Sequence, residues 1–388
     1  MSALEWRNLV HLAQKSTRMN KITEVSIHKL SIPLIEPFIT SLGRDDDAKN
    51  VVVRIKTESG LIGFGECSPY MPINGESQDT CYSVGQLLAR ALLKEDALAI
   101  KGINDRMDSI IYANNSIKSA FDMACYDIAA QAARQPLYAF LGGKKSKTII
   151  TDYTVSIGDP DQMAADAVKI LDRGFPYIKV KLGKHGPTDV IRMTKIREAV
   201  GPNIPLRIDA NQGWSVDEAI ETLQALASLD IEHCEEPIAR WNYLELPRVR
   251  QASPIPIMAD ECLGDEHDAA RLIALNACAY MNIKLGKSGG IFHALEIVRL
   301  AEQAGIKLQV GAMIESRLAM TAFAHFALCS DQIVHFDFDT ALMLREDPVE
   351  GGIIYKPGGV IEVPDTPGLG AKISEDWLLK SESCRFMA

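Results

Sequence analysis

The sequence predicts an α/β fold, a (β/α) barrel of parallel strands that carries an α+β capping domain. Three observations predict it. From about residue 150, short β-branched runs alternate with helical patterns at a period of roughly 25 residues. No Gly-rich phosphate loop follows the first of these runs, which disfavours a doubly wound open sheet. The preceding residues read differently, as antiparallel strands and then helices.

Taken in order, residues 1–19 lack the continuous apolar block of a secretory signal, and Met19 sits just before the first strand-like stretch. This leader is expected to be a dispensable N-terminal extension. Residues 20–145 form the capping domain. KITEVSIHKLSIPL and KNVVVRIKTESGLIGFGEC, with the turn ESG, read as antiparallel strands, and helical patterns follow at Asp79–Lys94 and Ser116–Ala133.

Residues 146–343 form the barrel, with eight strand-like runs: DYTVSI, YIKVKLG, PLRIDAN, IEHCEEP, PIPIMADE, YMNIKLG, KLQVGAM and IVHFDFD. Helix-sized segments such as Pro160–Arg173, Val216–Leu229 and Ile291–Ala304 follow them, with apolar residues at helical spacing. Residues 344–388 are Pro/Gly-rich strands expected to return to the capping domain.

Composition bounds the function. The chain has 388 residues, 47% hydrophobic, enough for one large core and a smaller one. Its formal charge of −10 argues against a nucleic-acid footprint, and no apolar run approaches the roughly 20 residues of a membrane span. The eight cysteines form no CxxC pair, so free thiols in a reducing cytoplasm are expected. The expected form is a cytoplasmic homo-oligomer that acts on a small molecule, with neither nucleic acid nor membrane as partner.

In a parallel barrel the chemistry sits where strands end. Strand two ends Lys179-Val180-Lys181, strand three Asp209-Ala210-Asn211, strand four Glu235-Glu236 and strand five Asp260-Glu261. Strand six ends at Lys284 and strand eight at Asp337-Phe338-Asp339. Side chains alternate along a strand, so Lys179 and Lys181 both face inward. Two ammonium groups that close repel, and the pKa of at least one is expected to fall toward that of a general base.

Asp209, Glu235 and Asp260 lie 26 and 25 residues apart, one per successive strand. Three converging carboxylates need a compensating cation, and an all-oxygen set suits Mg²⁺. Lys284 stands across the mouth from strand two, and a base on each side of one carbon is what a two-base proton transfer needs. Each residue alone is more often structural: a solvated lysine, a capping acid or a salt bridge. Their occurrence together at matched strand ends outweighs that reading.

The combination of IKVKLG, RIDANQGW, EHCEEP, MADE and NIKLGKSGG resembles the enolase superfamily, in its muconate-lactonizing-enzyme-like subgroup, over nearly the whole chain from about residue 20. The resemblance implies that Lys181 and Lys284 flank a substrate α-carbon. It also implies that Asp209, Glu235 and Asp260 hold Mg²⁺, which binds the substrate carboxylate. Lys179 is expected to tune Lys181 and to reach the substrate. Many relatives read Glu-Gln-Pro where this chain has Glu235-Glu236-Pro237, so Glu236 adds a charge without an assigned role.

Both aspartates of Asp337-Phe338-Asp339 are expected to point into the mouth, where they suit a substrate that carries a cation. The pair is similar to the motif of the dipeptide epimerases, including the L-Ala-D/L-Glu epimerase type, which implies a dipeptide whose α-ammonium it receives. Segments Phe38–Asn50 and Pro69–Ser77 are expected as specificity loops. Arg44 suits a glutamate side chain there, and Asp45, Asp46 and Asp47 a cationic one. The alternatives are an N-acylamino-acid racemase or an o-succinylbenzoate synthase, whose substrates lack the ammonium, then a cycloisomerase. A non-catalytic binding barrel is more distant, because no lysine or metal acid is missing.

Overall fold

The computed structural model describes residues 20–388, so the expected leader lies outside the described residues. Ile22–Ile39, Arg44–Thr57 and Ile62–Cys67 form an antiparallel sheet, with the turn at Gly60 where ESG predicted it. Helix Asn115–Ala132 lies directly on the last of these strands. Gly63 and Gly65 allow the contact: a Cβ at either would stand 2.1 or 2.0 Å from the carbonyl oxygen of Ala124 or Ala120. Phe38–Asn50 is not a loop. It is the tip of a long hairpin, with Phe38 opposite Asp45 and a tight turn closed by Thr40 N–H to the Gly43 carbonyl at 3.0 Å. Cross-strand pairing overrides the turn-like character of its acidic run. Helix Ile100–Ile110, not among the helices expected above, packs beside the capping sheet's core.

The barrel strands are Tyr153–Val155, Ile178–Lys181, Leu206–Asp209, Ile231–Glu235, Ile257–Ala259, Tyr280–Ile283, Lys307–Val310 and Ile333–Phe336. They neighbour one another in chain order, all parallel. The seam between strands one and eight is closed by Asp152 N–H donating to the Phe336 carbonyl at 3.2 Å. Strands one to seven are each followed by an α-helix. Several of these helices start on a side-chain cap: Asp159 before Pro160, Ser215, Asp265 and Ser316. The expected segment after strand eight is only the short 3-10 turn Thr340–Met343, so the alternation stops at its last step.

The C-terminal residues do return to the cap, with Ser383–Met387 pairing antiparallel to Ile22–Ile39. Cap and barrel are also joined by buried acids. Glu66 accepts from the Ser316 and Ala319 N–H groups at the start of helix Arg317–Ala327, and Asp122 accepts from Ile291 N–H at 2.6 Å at the start of helix Ile291–Ala304. No described helix is long and apolar enough to cross a membrane, and all eight cysteines are unpaired.

Candidate active site

Parallel pairing sets the level of each strand end. Lys181 lies opposite Asp209, Asp209 opposite Glu235, and Glu235 opposite Met258, which places Asp260 just beyond the same level. The carboxylate oxygens of Asp209, Glu235 and Asp260 lie within 4.8 Å of one another, and all three residues are fully buried. Gly183, at φ +95°, lets the turn after strand two run against the carbonyl of Ala210, where a Cβ would collide at 2.0 Å.

Four lysines meet this acid cluster. Lys181 Nζ stands 2.7 Å from Asp209 Oδ2, and Lys284 Nζ 2.7 Å from Asp260 Oδ2. Lys179 Nζ lies between Glu235 and Asp337, 2.8 Å from each, with Asp209 at 3.3 Å. Lys287, absent from the sequence reading, contacts the other oxygen of Asp260, and Asn115 of the cap holds its carbonyl at 2.7 Å. Of the two lysines of strand two, Lys179 is not one whose pKa falls. Burial works against its charge, but Asp337, Glu235 and Asp209 outweigh it and hold the ammonium well above its ordinary range. Lys284 is raised for the same reason, by Asp260 and Glu235 against burial.

Among the acids, burial and the charge of Asp209 push Glu235 up to about 7. Burial acts on Asp209 and Asp260 as well. There the lysines win, Lys181 and Lys179 at Asp209 and Lys284 and Lys287 at Asp260, and both are lowered. The donor set fits Mg²⁺: three convergent carboxylates and no softer ligand. A divalent cation shared among these acids would offset their field at the lysines. Neutral amides orient the set. Asn282 Nδ2 donates to Glu235 Oε1 at 2.8 Å, and Gln309 Nε2 to Oε2 at 3.2 Å. Glu236 has a role after all. Its side chain turns away from the mouth and accepts from Asp260 N–H at 2.7 Å and from the Cys262 thiol, fixing the backbone of the third acid.

Above the cluster is a cavity of about 330 Å³ between barrel and cap. Lys181, Lys284 and Asp337 line it, with Phe38, Tyr70 and Met313 among the others. Strands two and six are four steps apart in the ring of eight, so the two lysines approach from opposite sides. Lys179 and Asp339 do not line the cavity. Asp339 is buried behind the seam and accepts from Thr154 N–H at 2.7 Å rather than capping the turn that follows it. Burial and the nearby Asp337 push it up to about 7. Arg44 sits at the exposed rim, engaged with Asp46 at 2.8 Å. Both expected specificity segments contribute to the lining.

Comparison with known proteins gives a consistent picture. Residues 22–142 match the family described as mandelate racemase / muconate lactonizing enzyme, N-terminal domain, and residues 162–377 the enolase C-terminal domain-like family. The chain is 57% identical over 357 residues to the D-Ala-D/L-Ala epimerase of Cytophaga hutchinsonii, covering 92% of this chain and 97% of that one. It is 40% identical over 354 residues to the L-Ala-D/L-Glu epimerase of Bacillus subtilis, covering 90% and 96%. The crystal structure of a dipeptide epimerase from Cytophaga hutchinsonii, complexed with Mg and the dipeptide D-Ala-L-Val, superposes with a TM-score of 0.94 at 56% identity, covering 94% of this chain and 99% of that one.

Proposed function

The chain belongs to the mandelate racemase / muconate lactonizing enzyme family of the enolase superfamily, and on that premise we propose that it is a dipeptide epimerase. It inverts the α-carbon next to the C-terminal carboxylate of a dipeptide by two-base 1,1-proton transfer. The observation that carries this reading is that Lys181 and Lys284 reach one cavity from opposite sides of the barrel, directly above three convergent acids.

In this reading Asp209, Glu235 and Asp260 hold Mg²⁺. When bound, the ion supplies the positive charge against which the substrate carboxylate accepts the second negative charge of an enediolate, worth several kcal/mol. The lysines do the proton transfer. One takes the α-proton from its face as a neutral amine, and the other, as ammonium, delivers a proton to the opposite face. The roles exchange with the isomer that is bound, Lys181 and Lys284 each serving as acceptor for one and as donor for the other. Lys179 acts from below as a positioning residue, holding Glu235, Asp209 and Asp337 in place.

Asp337 receives the dipeptide α-ammonium, and Asp339 acts at one remove by holding the backbone of Thr154, which lines the cavity. Arg44 is a weak candidate for recognising a glutamate side chain, because Asp46 already takes its guanidinium. The nearby lining combines an apolar surface of Leu42, Pro69, Met71, Pro72 and Ile73, which suits apolar side chains, with Asp45, Asp46 and Asp47, which suit a cationic one. The unpaired thiols suit the cytoplasm.

The test is a set of free dipeptides and their N-acetylated counterparts incubated with Mg²⁺, with D and L isomers resolved by chromatography. Free dipeptides should be epimerised and the acetylated ones should be much poorer substrates. A preference for N-acylated amino acids would instead mark an acylamino-acid racemase.

A further inference from the structure

We propose that the floor of the barrel, the end opposite the mouth, holds a second metal site for Zn²⁺ or a similar late first-row ion, ligated by His233, His335 and Glu232. Two irregularities in the sheet build it. Between strands three and four the register runs from Leu206 opposite Ile231 to Ile208 opposite Cys234, so Glu232 and His233 both fall across from Arg207. Between strands seven and eight, Leu308 faces Ile333 but Gln309 faces His335. Each is a bulge, the device that re-aims a side chain within a ladder, and each sits on a strand that contributes a histidine. One ligand atom from each of Glu232, His233 and His335 lies within 4.8 Å of the others. A tetrahedral zinc site needs such atoms roughly 3.3 Å apart, a closure within reach of small side-chain rotations.

The second observation is unmet hydrogen-bonding capacity. His233 is fully buried, and neither of its ring nitrogens has a partner; Nδ1 of His335 also has none. The two rings lie 4.9 Å apart, with the Tyr280 ring 5.6 and 5.3 Å from them, so the imidazoles are fixed by packing rather than by polar contacts. Buried ring nitrogens without partners, close to each other and to a carboxylate, suit a metal ion better than an empty core. Glu232 accepts from Arg207 at 2.7 Å, but Arg207 also donates to Asp152 at 2.8 Å and keeps a partner if Glu232 turns to the ion. Arg207, Lys307 and, from the mouth side, Lys179 are the cations that act on the two histidines, and Asp152 and Glu232 offset Arg207.

The donor chemistry separates the two ends of the barrel. Three carboxylates at the mouth favour a hard ion, whereas two imidazoles and one carboxylate favour Zn²⁺ or Co²⁺ with one position open. The test uses the full chain saturated with Mg²⁺ and dialysed against Zn²⁺ or Co²⁺, with metal content read by mass spectrometry. One equivalent of Zn²⁺ should be retained against excess Mg²⁺. His335→Gln should weaken that equivalent by at least about tenfold while leaving Mg²⁺-dependent epimerisation unchanged, which also reports that the variant is folded. Paramagnetic shifts of histidine ring protons in the wild-type Co²⁺ form give a reading independent of any variant. No retained equivalent in the wild type, or one that survives His335→Gln, overturns the proposal.

Discussion

Lys179 donates to Asp337 at 2.8 Å from beneath the cavity, so the acid proposed to receive the substrate ammonium is anchored before substrate arrives. Burial would raise Asp337, but Lys179 and Lys181 hold it below the ordinary carboxylate range, and it is ionised at neutral pH. Asp337→Asn should lower kcat/KM for a free dipeptide by about 100-fold, the loss of a charge pair worth a few kcal/mol. The poor turnover of the N-acetylated dipeptide should barely change. Lys179 keeps Glu235 and Asp209 as partners, so Mg²⁺ affinity should hold.

Metal dependence should extend to the residues that orient the acids. EDTA should abolish epimerisation and Mg²⁺ restore it. Asn282→Ala removes the amide that fixes Glu235 at 2.8 Å and should weaken Mg²⁺ binding by about 10- to 100-fold. Titrating activity against Mg²⁺ measures it: the midpoint should move while the plateau is largely kept.

Arg44→Ala tests the rim. Because Asp46 occupies the guanidinium at 2.8 Å and both side chains are exposed, removing it should change kcat/KM for L-Ala-L-Glu by less than about threefold. A larger loss confined to glutamate-containing dipeptides would make Arg44 a recognition residue.

Stability should carry the signature of buried acids. Burial, and then the charge of Glu66, pushes Glu315 up to about 8. An unfolded glutamate ionises near pH 4.3, so between that pH and about 8 the native state holds more protons than the unfolded one. Stability therefore falls as pH rises through that window. Glu315→Gln keeps an oxygen to accept from Met313 N–H and removes the ionisation. Chemical denaturation at pH 6 and pH 9 should show the variant gaining on the wild type at the higher pH, by a few kcal/mol at most.

Much of this architecture was legible in the sequence because two periods coincide. A repeat near 25 residues marked the strands, and alternation along each strand sorted Lys179 from Val180 and put Lys181, Asp209, Glu235 and Asp260 at one level. The same alternation could have found Asn282, two residues before Lys284, but a neutral amide carries no charge signature to single it out. The spacing of Lys179 and Lys181 shows their mutual repulsion, but not the three carboxylates that the barrel closes around Lys179 and that hold its ammonium well above the ordinary range. Asp337 and Asp339 share a spacing, yet the sequence does not say that the seam takes Asp339 to Thr154 and leaves only Asp337 in the cavity. Helix Ile100–Ile110 carries a legible stripe, with Ile100, Ile103, Met107 and Ile110 at helical spacing, and no physical reason accounts for its absence from the expected elements.

The division of labour between Lys181 and Lys284 is the centre of the account, and α-proton exchange in D₂O tests it most directly. Each stereoisomer of one dipeptide is incubated separately with wild type, Lys181→Ala and Lys284→Ala, and deuterium at the C-terminal residue's α-carbon is read by mass spectrometry. Wild type should label and interconvert both isomers. Neither variant should epimerise, and any exchange that survives should be confined to one isomer in Lys181→Ala and to the other in Lys284→Ala. Epimerisation of both isomers at wild-type rates by either variant would contradict the two-base mechanism.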